Sequence, residues 1–421
     1  MYVNGSLIKN INENSLINFL KSKGCIKGEG ESGKDTTLWI GELLDNKRIT
    51  STELNEFLFQ ELFYGRSNMI NIFEIVSCKK MRDEQVWNER LSESYNINST
   101  NFNEIISTVV HQDTPIKIVA MNTLVDEEGK VICVDIILAR YIQINLNGRQ
   151  SSSCCFIPIK FDLDNKLLII KIRNQYGIPE KEHRPKATLD KIFEDFKLVM
   201  DFETITHDYK HQKVLYNMSK GLLEELYNIV PNYNSLTEMD EYIEGFINNV
   251  IDNMDIINVE DDAQGKKIIN KGVIDLKDEI NKVLQQLVVA DYFFNEDIDL
   301  FSKNNVSAVI TSIKFNDKEK NTARLAGEDN AKVIVCSRTF MSMRKSIEAV
   351  ENVFALSIAH KRKSDSIEVK FDASEKDRLS ILILNQKNYT EEDYNKIWRM
   401  YKKYEKKSFN TIERYRKEYV G

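Results

Sequence analysis

Between residues 116 and 173 the chain carries four stretches rich in Val and Ile, at 116–123, 130–145, 152–161 and 167–173. Branched side chains are stiff at the first torsion and pack well on a pleated surface, so such runs favour strands. The gaps between them hold turn chemistry: DEEG at 126–129, NG at 147–148 and DLDN at 162–165. Gly and Asn tolerate the positive φ that tight hairpins require, and Asp bonds its own backbone two residues on. Consecutive strands joined by turns this short pair antiparallel, so residues 113–185 read as an antiparallel β-meander.

On both sides of the meander the apolar period is helical. Residues 16–23 follow Ser15 and stop at Gly24. Residues 53–64 follow Ser51 and Thr52, repeat Leu54, Phe57, Leu58 and Leu62, and stop at Gly65. Residues 83–95 and 101–110 are two further helix candidates. Helical spacing returns over 187–227, 238–262 and 275–294, with 263–267 as the best linker. The last part mixes expected strands at 307–315, 331–337, 366–372 and 379–384 with a helix at 340–354. TEED at 390–393 has the form of a capping box opening a long final helix. The fold class is therefore α+β: a helical N-terminal domain (1–112), the meander (113–185), a helical acidic region (186–303) and a mixed, basic C-terminal domain (304–421). A chain of 421 residues is too long for one ordinary core, and its 5 Pro and 16 Gly leave little room for flexible linkers.

Charge is divided along the chain. Residues 306–421 carry a net +7, which leaves −14 for residues 1–305 of a chain whose total is −7. Nine carboxylates between Glu238 and Asp262 have no Lys or Arg among them, whereas 396–417 holds nine basic residues against Glu405 and Glu413. A segregated basic end attracts phosphate backbones, and an acidic segment repels them or docks a basic partner. None of the six cysteines forms a C-x-x-C pair, and the adjacent Cys154 and Cys155 face opposite sides of a strand. Buried thiols in a reducing, cytoplasmic setting follow. No apolar run approaches the roughly 18 residues of a membrane span, and no secretory signal opens the chain.

Four constellations carry possible chemistry. Gly28 to Asp35 (GEGESGKD) is one residue short of a phosphate-binding P-loop: Asp35 replaces the hydroxyl, and Glu29 and Glu31 oppose phosphate. Glu203, His207 and His211 recur every four residues, with Asp208 beside them. On one helix face they form a carboxylate–imidazole set suited to a divalent metal. The order His183, His207-Asp208 and a later Asp is similar to the pattern of HD-type metal phosphohydrolases. The stretch from His207 to His211 also resembles the phospho-acceptor helix of sensor histidine kinases, without the glycine-rich nucleotide boxes. Glu368 and Lys370, with Asp317 and Glu328 upstream, match the E-x-K half of PD-(D/E)xK nucleases, which hold Mg²⁺ between carboxylates. Finally, Arg338, Arg344, Lys345, Lys361, Arg362, Lys363, Lys402, Lys403, Lys406, Lys407 and Arg414 offer cations to a nucleic acid. Aromatic residues interleave with the last of them; Trp398, Tyr401 and Phe409 are expected to pack inward. No G-x-S-x-G elbow and no dinucleotide fingerprint in its proper context occurs. The leading functional expectation is a nucleic-acid-associated binding or accessory subunit, of the kind found in prokaryotic antiviral or mobile-element systems. A metal-dependent hydrolase (nuclease or HD-like phosphohydrolase) and a protein-interaction module with an acidic docking segment are the alternatives.

Overall fold

The computed structural model describes residues 3, 5–27, 35–146, 149–231, 233–254, 259–261, 267–269, 275–295, 306–316, 322–327, 334, 337–363, 365–385 and 387–419. Its elements, in chain order, begin with helices α1 (Gly5–Ile8), α2 (Glu13–Ser22), α3 (Thr36–Asp45) and α4 (Ser51–Phe63). Strand β1 (Met69–Glu74), α5 (Glu84–Tyr95), β2 (Phe102–Asn103), β3 (Lys117–Val125), β4 (Val131–Leu146), β5 (Arg149–Asp162) and β6 (Leu167–Ile172) follow. Then come α6 (Pro185–Met200), α7 (Lys210–Tyr227), α8 (Asp240–Asn253), the pair β7 (Val259–Asp261) and β8 (Lys267–Ile269), and α9 (Leu276–Asn295). The chain closes through β9 (Ala308–Asn316), β10 (Thr322–Ala326), α10 (Arg338–Val350), β11 (Ala355–Lys361), β12 (Ser366–Asp372), β13 (Leu379–Ile383) and α11 (Glu391–Tyr419). This is an α+β chain with antiparallel sheet, and among the described residues no helix is long and apolar enough to cross a membrane.

Two compact units divide it: residues 1–211 with 367–403, and residues 212–366 with 404–421. In the first unit the strands run in the order β12-β13-β1-β6-β5-β4-β3-β2, each antiparallel to its neighbour. The turns at 126–129 and 162–165 do what their sequences require, and the NG turn at 147–148 lies outside the described residues. Asp126 Oδ1 accepts the backbone N–H groups of Glu128 and Lys130, and Asp162 that of Asn165. Because side chains alternate along a strand, the sheet has two apolar faces. Cys154 and Phe156 meet α2, α3 and α4 on one, while Cys155 and Ile157 meet α5 and α6 on the other. The thiols described, Cys25, Cys78, Cys133, Cys154 and Cys155, are free and buried.

Three local expectations are corrected. Residues 101–110 are not a helix: Phe102 and Asn103 form β2, and the Asn103 and Asn55 side chains bond each other's backbone carbonyls at 2.9 Å. The amide side chains thus replace a helical ladder with a clamp onto α4. The helical spacing over 187–227 belongs to α6 and α7 and is broken between them, because Asp201 adopts a left-handed conformation that ends α6 and α7 starts only at Lys210. The acidic segment is helical only to Asn253, and Val259–Asp261 pairs as β7 with β8.

The second unit holds β10-β9-β11, the β7–β8 pair and the packed helices α8, α9 and α10. In α8 part of the acidic charge is compensated, with Lys277 reaching Glu244 at 2.8 Å and Asp240 at 3.5 Å.

Candidate functional site

Three connections meet at one end of the central strands of the first unit. The α4–β1 connection (65–68) enters β1, the segment 173–176 leaves the neighbouring β6, and 387–388 follows the other neighbour, β13. Antiparallel pairing puts the start of β1 beside the ends of β6 and β13, so residues far apart in sequence converge. Between them lies a cavity of about 300 Å³ lined by Arg66, Arg173 and Lys387, by the amides of Asn68, Asn174, Gln175 and Asn388, and by the exposed Tyr176. Among the described residues no carboxylate lines it.

The two arginines are held from behind by one atom. Arg66 Nη1 donates to the carbonyl of Lys9 at 2.8 Å, and Arg173 Nη1 donates to the same oxygen at 2.9 Å. Among the described residues neither guanidinium has a carboxylate within 4 Å. Glu61 feels the charge of Arg66, but its Oε1 accepts the Asn12 backbone N–H at 3.0 Å. Burial, and then the charge of Arg66, pull Arg173 below the ordinary guanidinium pKa. Two like charges are therefore placed side by side without neutralisation, an arrangement that an anion relieves. Asn68 fixes the floor: its Nδ2 donates to the Ile383 carbonyl at 3.1 Å, and its Oδ1 accepts the Asn174 N–H at 2.7 Å.

The approach to Arg66 is pinned firmly. Ser67 Oγ and Lys171 Nζ donate to the Leu62 and Phe63 carbonyls that end α4, both at 2.9 Å. Lys171 is 2% exposed and lies among the rings of Tyr64, Tyr394, Phe63 and Tyr389, with centroids 3.8 to 5.8 Å from Nζ. A cation at a helix C-terminus opposes the negative end of the dipole, and ring faces partly replace lost water. Burial still pushes Lys171 down to about 7. The Tyr389 hydroxyl donates to the Ser67 carbonyl at 2.9 Å.

A second cluster lies where β1 ends. The extended segment 203–205 pairs with the residues after β1: Val76 N–H donates to Glu203 O at 2.9 Å and Ile205 N–H to Glu74 O at 2.8 Å. Helix α7 begins only at Lys210, so Glu203, His207 and His211 do not share a helix face. The Glu203 side chain is exposed, and Glu74 supplies the carboxylate instead. His207 Nε2 lies 3.0 Å from Glu74 Oε2, Lys210 Nζ donates to Glu74 Oε1 at 2.5 Å, and His211 Nδ1 lies 2.7 Å from the Tyr401 hydroxyl. Ligand atoms of Glu74, His207 and His211 lie within 4.8 Å of one another. Burial disfavours the charge of Glu74, but the hydrogen bond and charge of Lys210, with His207, hold its pKa below the ordinary value. Asp208 is exposed and paired with Lys376 at 2.6 Å, and His183 falls in a separate group with Glu180 and Glu182.

The remaining candidates are placed as follows. Glu368 and Lys370 stand two apart on β12. Glu368 is buried and accepts from Asn385 Nδ2 at 2.6 Å, while Lys370 pairs with Asp372 at 2.6 Å. Asp317, Glu328 and the near-P-loop residues 28–34 lie outside the described residues; Asp35 caps α3. Arg344 is engaged by Glu348 at 2.8 Å and Gln285 at 3.2 Å, and Arg362 lies 3.8 Å from Asp365. Arg338 and Lys345 lie on α10 and Arg414 on α11, but their side chains are outside the described residues. On α11, Tyr401 and Tyr404 are buried and Lys403, Lys406 and Lys407 exposed; Lys402 sits over Trp398 at 4.9 Å, and Trp398 stacks on Tyr401. Lys361, the last residue of β11, and Lys363 in the turn that follows are exposed.

The residues that sequence reasoning missed are Arg66, Arg173 and Glu74. Each stands at the boundary of an element, and only the pairing of β1 with β6 and of 203–205 with 74–76 brings its partners to it. Compared with known proteins, the chain matches no family model and no curated protein, so the chemistry of both clusters rests on their own geometry.

Proposed function

We propose that the chain is a nucleic-acid-associated binding or accessory subunit, working in the cytoplasm and gripping phosphate. The observation that carries this reading is the pair Arg66–Arg173: two guanidiniums anchored through one carbonyl, lining a cavity in which no carboxylate stands among the described residues. The planar guanidinium fork matches phosphate oxygens, and an exposed tyrosine offers a face on which an unpaired base stacks. Tyr176, 69% exposed, is that ring. The exposed lysines of α11 add cations without base-reading geometry, so sequence preference is weak. The test is titration of a labelled single-stranded oligonucleotide at about 50 mM salt, where phosphate contacts are strongest. Binding that Arg66→Gln with Arg173→Gln weakens is expected; no binding at low ionic strength contradicts the reading.

The convergence of Glu74, His207 and His211 favours a second reading, a metal-dependent hydrolase. An ion seated there has to displace Lys210 from Glu74, which costs the existing ion pair. Under this reading untagged protein supplemented with Zn²⁺ or Mn²⁺ retains about one ion per chain by elemental analysis, and His211→Ala loses it. Metal-free wild type after supplementation returns the cluster to a structural ion-pair network.

A further inference from the structure

The charge and size of the cavity at the start of β1 narrow its ligand, granted the nucleic-acid reading above on which this step rests. Among the described residues its lining carries three cationic side chains, Arg66, Arg173 and Lys387, and no carboxylate. A phosphodiester within a strand brings one negative charge, whereas a phosphate monoester near neutral pH brings about 1.5 to 2. Two adjacent guanidiniums match the second better, and the monoester has three terminal oxygens for fork donors instead of two. About 300 Å³ stands at the lower end of small-molecule sites, room for one nucleotide and far too small for a duplex. The amides of Asn174 and Gln175 combine donors and acceptors beside the cations, and Tyr176 projects a ring into solvent next to them. We infer that this cavity seats the terminal phosphate monoester of a single strand, with the first base against Tyr176 and the following backbone leaving over the surface.

The arrangement gives the backbone around it a task. Asn68 is buried and ties the cavity floor to β13 and to Asn174, so the phosphate site is rigid before a ligand arrives. Preorganised donors lose little entropy on binding, which is why a small site of this kind discriminates one extra charge.

The experiment compares one short single strand in three forms on the full chain: 5′-phosphorylated, 3′-phosphorylated and without a terminal phosphate. One phosphorylated form is expected to bind at least about tenfold tighter than the unphosphorylated strand, and Arg173→Gln abolishes that preference while weak binding of all three remains. Tyr176→Ala weakens all strands by a similar factor and leaves the preference in place, because stacking does not sense the phosphate. Inorganic phosphate and a nucleoside monophosphate serve as competitors. Displacement of the strand by the monophosphate at equal affinity would mean that a free nucleotide is the ligand and would overturn the strand-end assignment. Equal, salt-sensitive binding of the three strands would also overturn the inference, while leaving the nucleic-acid reading intact. Failure of every strand to bind at low salt removes both. The comparison among strands uses wild type alone, so it stands even where a substitution disturbs folding.

Discussion

Lys171 shows how a single side chain shapes both the sheet and the site. A lysine in a strand interior normally reaches for water, yet this one is enclosed by four rings and spends its proton on the last carbonyl of α4. Burial lowers its pKa from 10.5 to about 7. The linkage has a definite sign. Below about pH 7 the ammonium is charged in both folded and unfolded chains, and the burial cost is fully present. Between pH 7 and 10.5 the unfolded chain binds the extra proton, so the contribution of Lys171 to stability rises with pH. Urea unfolding of wild type and Lys171→Met over this range is expected to give a difference that drifts in favour of wild type as pH rises. A pH-independent difference would mean that the ring faces keep the group charged throughout. Nothing in the run from Leu167 to Ile172 betrays this: the alternation marks a strand, but which Lys loses water depends on Tyr389 and Tyr394, more than 200 residues away.

Elements were legible where their signals are local. The meander follows from its own β-branched runs and turns, and β12 spans the residues expected of it. The final helix opens as its sequence suggests, with Thr390 Oγ1 accepting the Asp393 N–H and Asp393 returning the bond. Where the deciding partner is distant, the reading fell short. Strand β1, short and half-polar, is specified by β6 and β13 on either side, and Asn103 is turned out of a helix by Asn55. That is also why Glu74 was missed as the partner of His207. Helix α7 carries a further test at this scale. A Cβ on Gly221 would lie 2.4 Å from Cε1 of Tyr404, so α7 and the C-terminal part of α11 pack too closely for any side chain. An exposed helical Gly→Ala change stabilises by roughly 0.5–1 kcal/mol. Here the sign should reverse, with Gly221→Ala destabilising by ~1–3 kcal/mol in chemical denaturation because Tyr404 is forced from its place. Stabilisation by alanine would show that α11 is free to shift away from α7.

At the scale of the whole molecule, the division of charge pointed toward phosphate but directed attention to the C-terminal lysines. The strongest geometric case instead lies in the first unit, where among the described residues no carboxylate lies within 4 Å of Arg66 or Arg173. Net charge over a hundred residues cannot show this, since surface cations are mostly balanced locally, as Arg344 is by Glu348 and Lys277 by Asp240 and Glu244. The measurement that tests the account most directly is the salt dependence of single-strand binding by wild type and by the Arg66→Gln, Arg173→Gln double variant. Each phosphate contact contributes about −0.7 to the slope of log K against log salt for single strands. The account predicts that the double variant binds more weakly at low salt and with a slope shallower by about 0.7, the loss of one phosphate contact. The same affinity and the same slope in both proteins would contradict it.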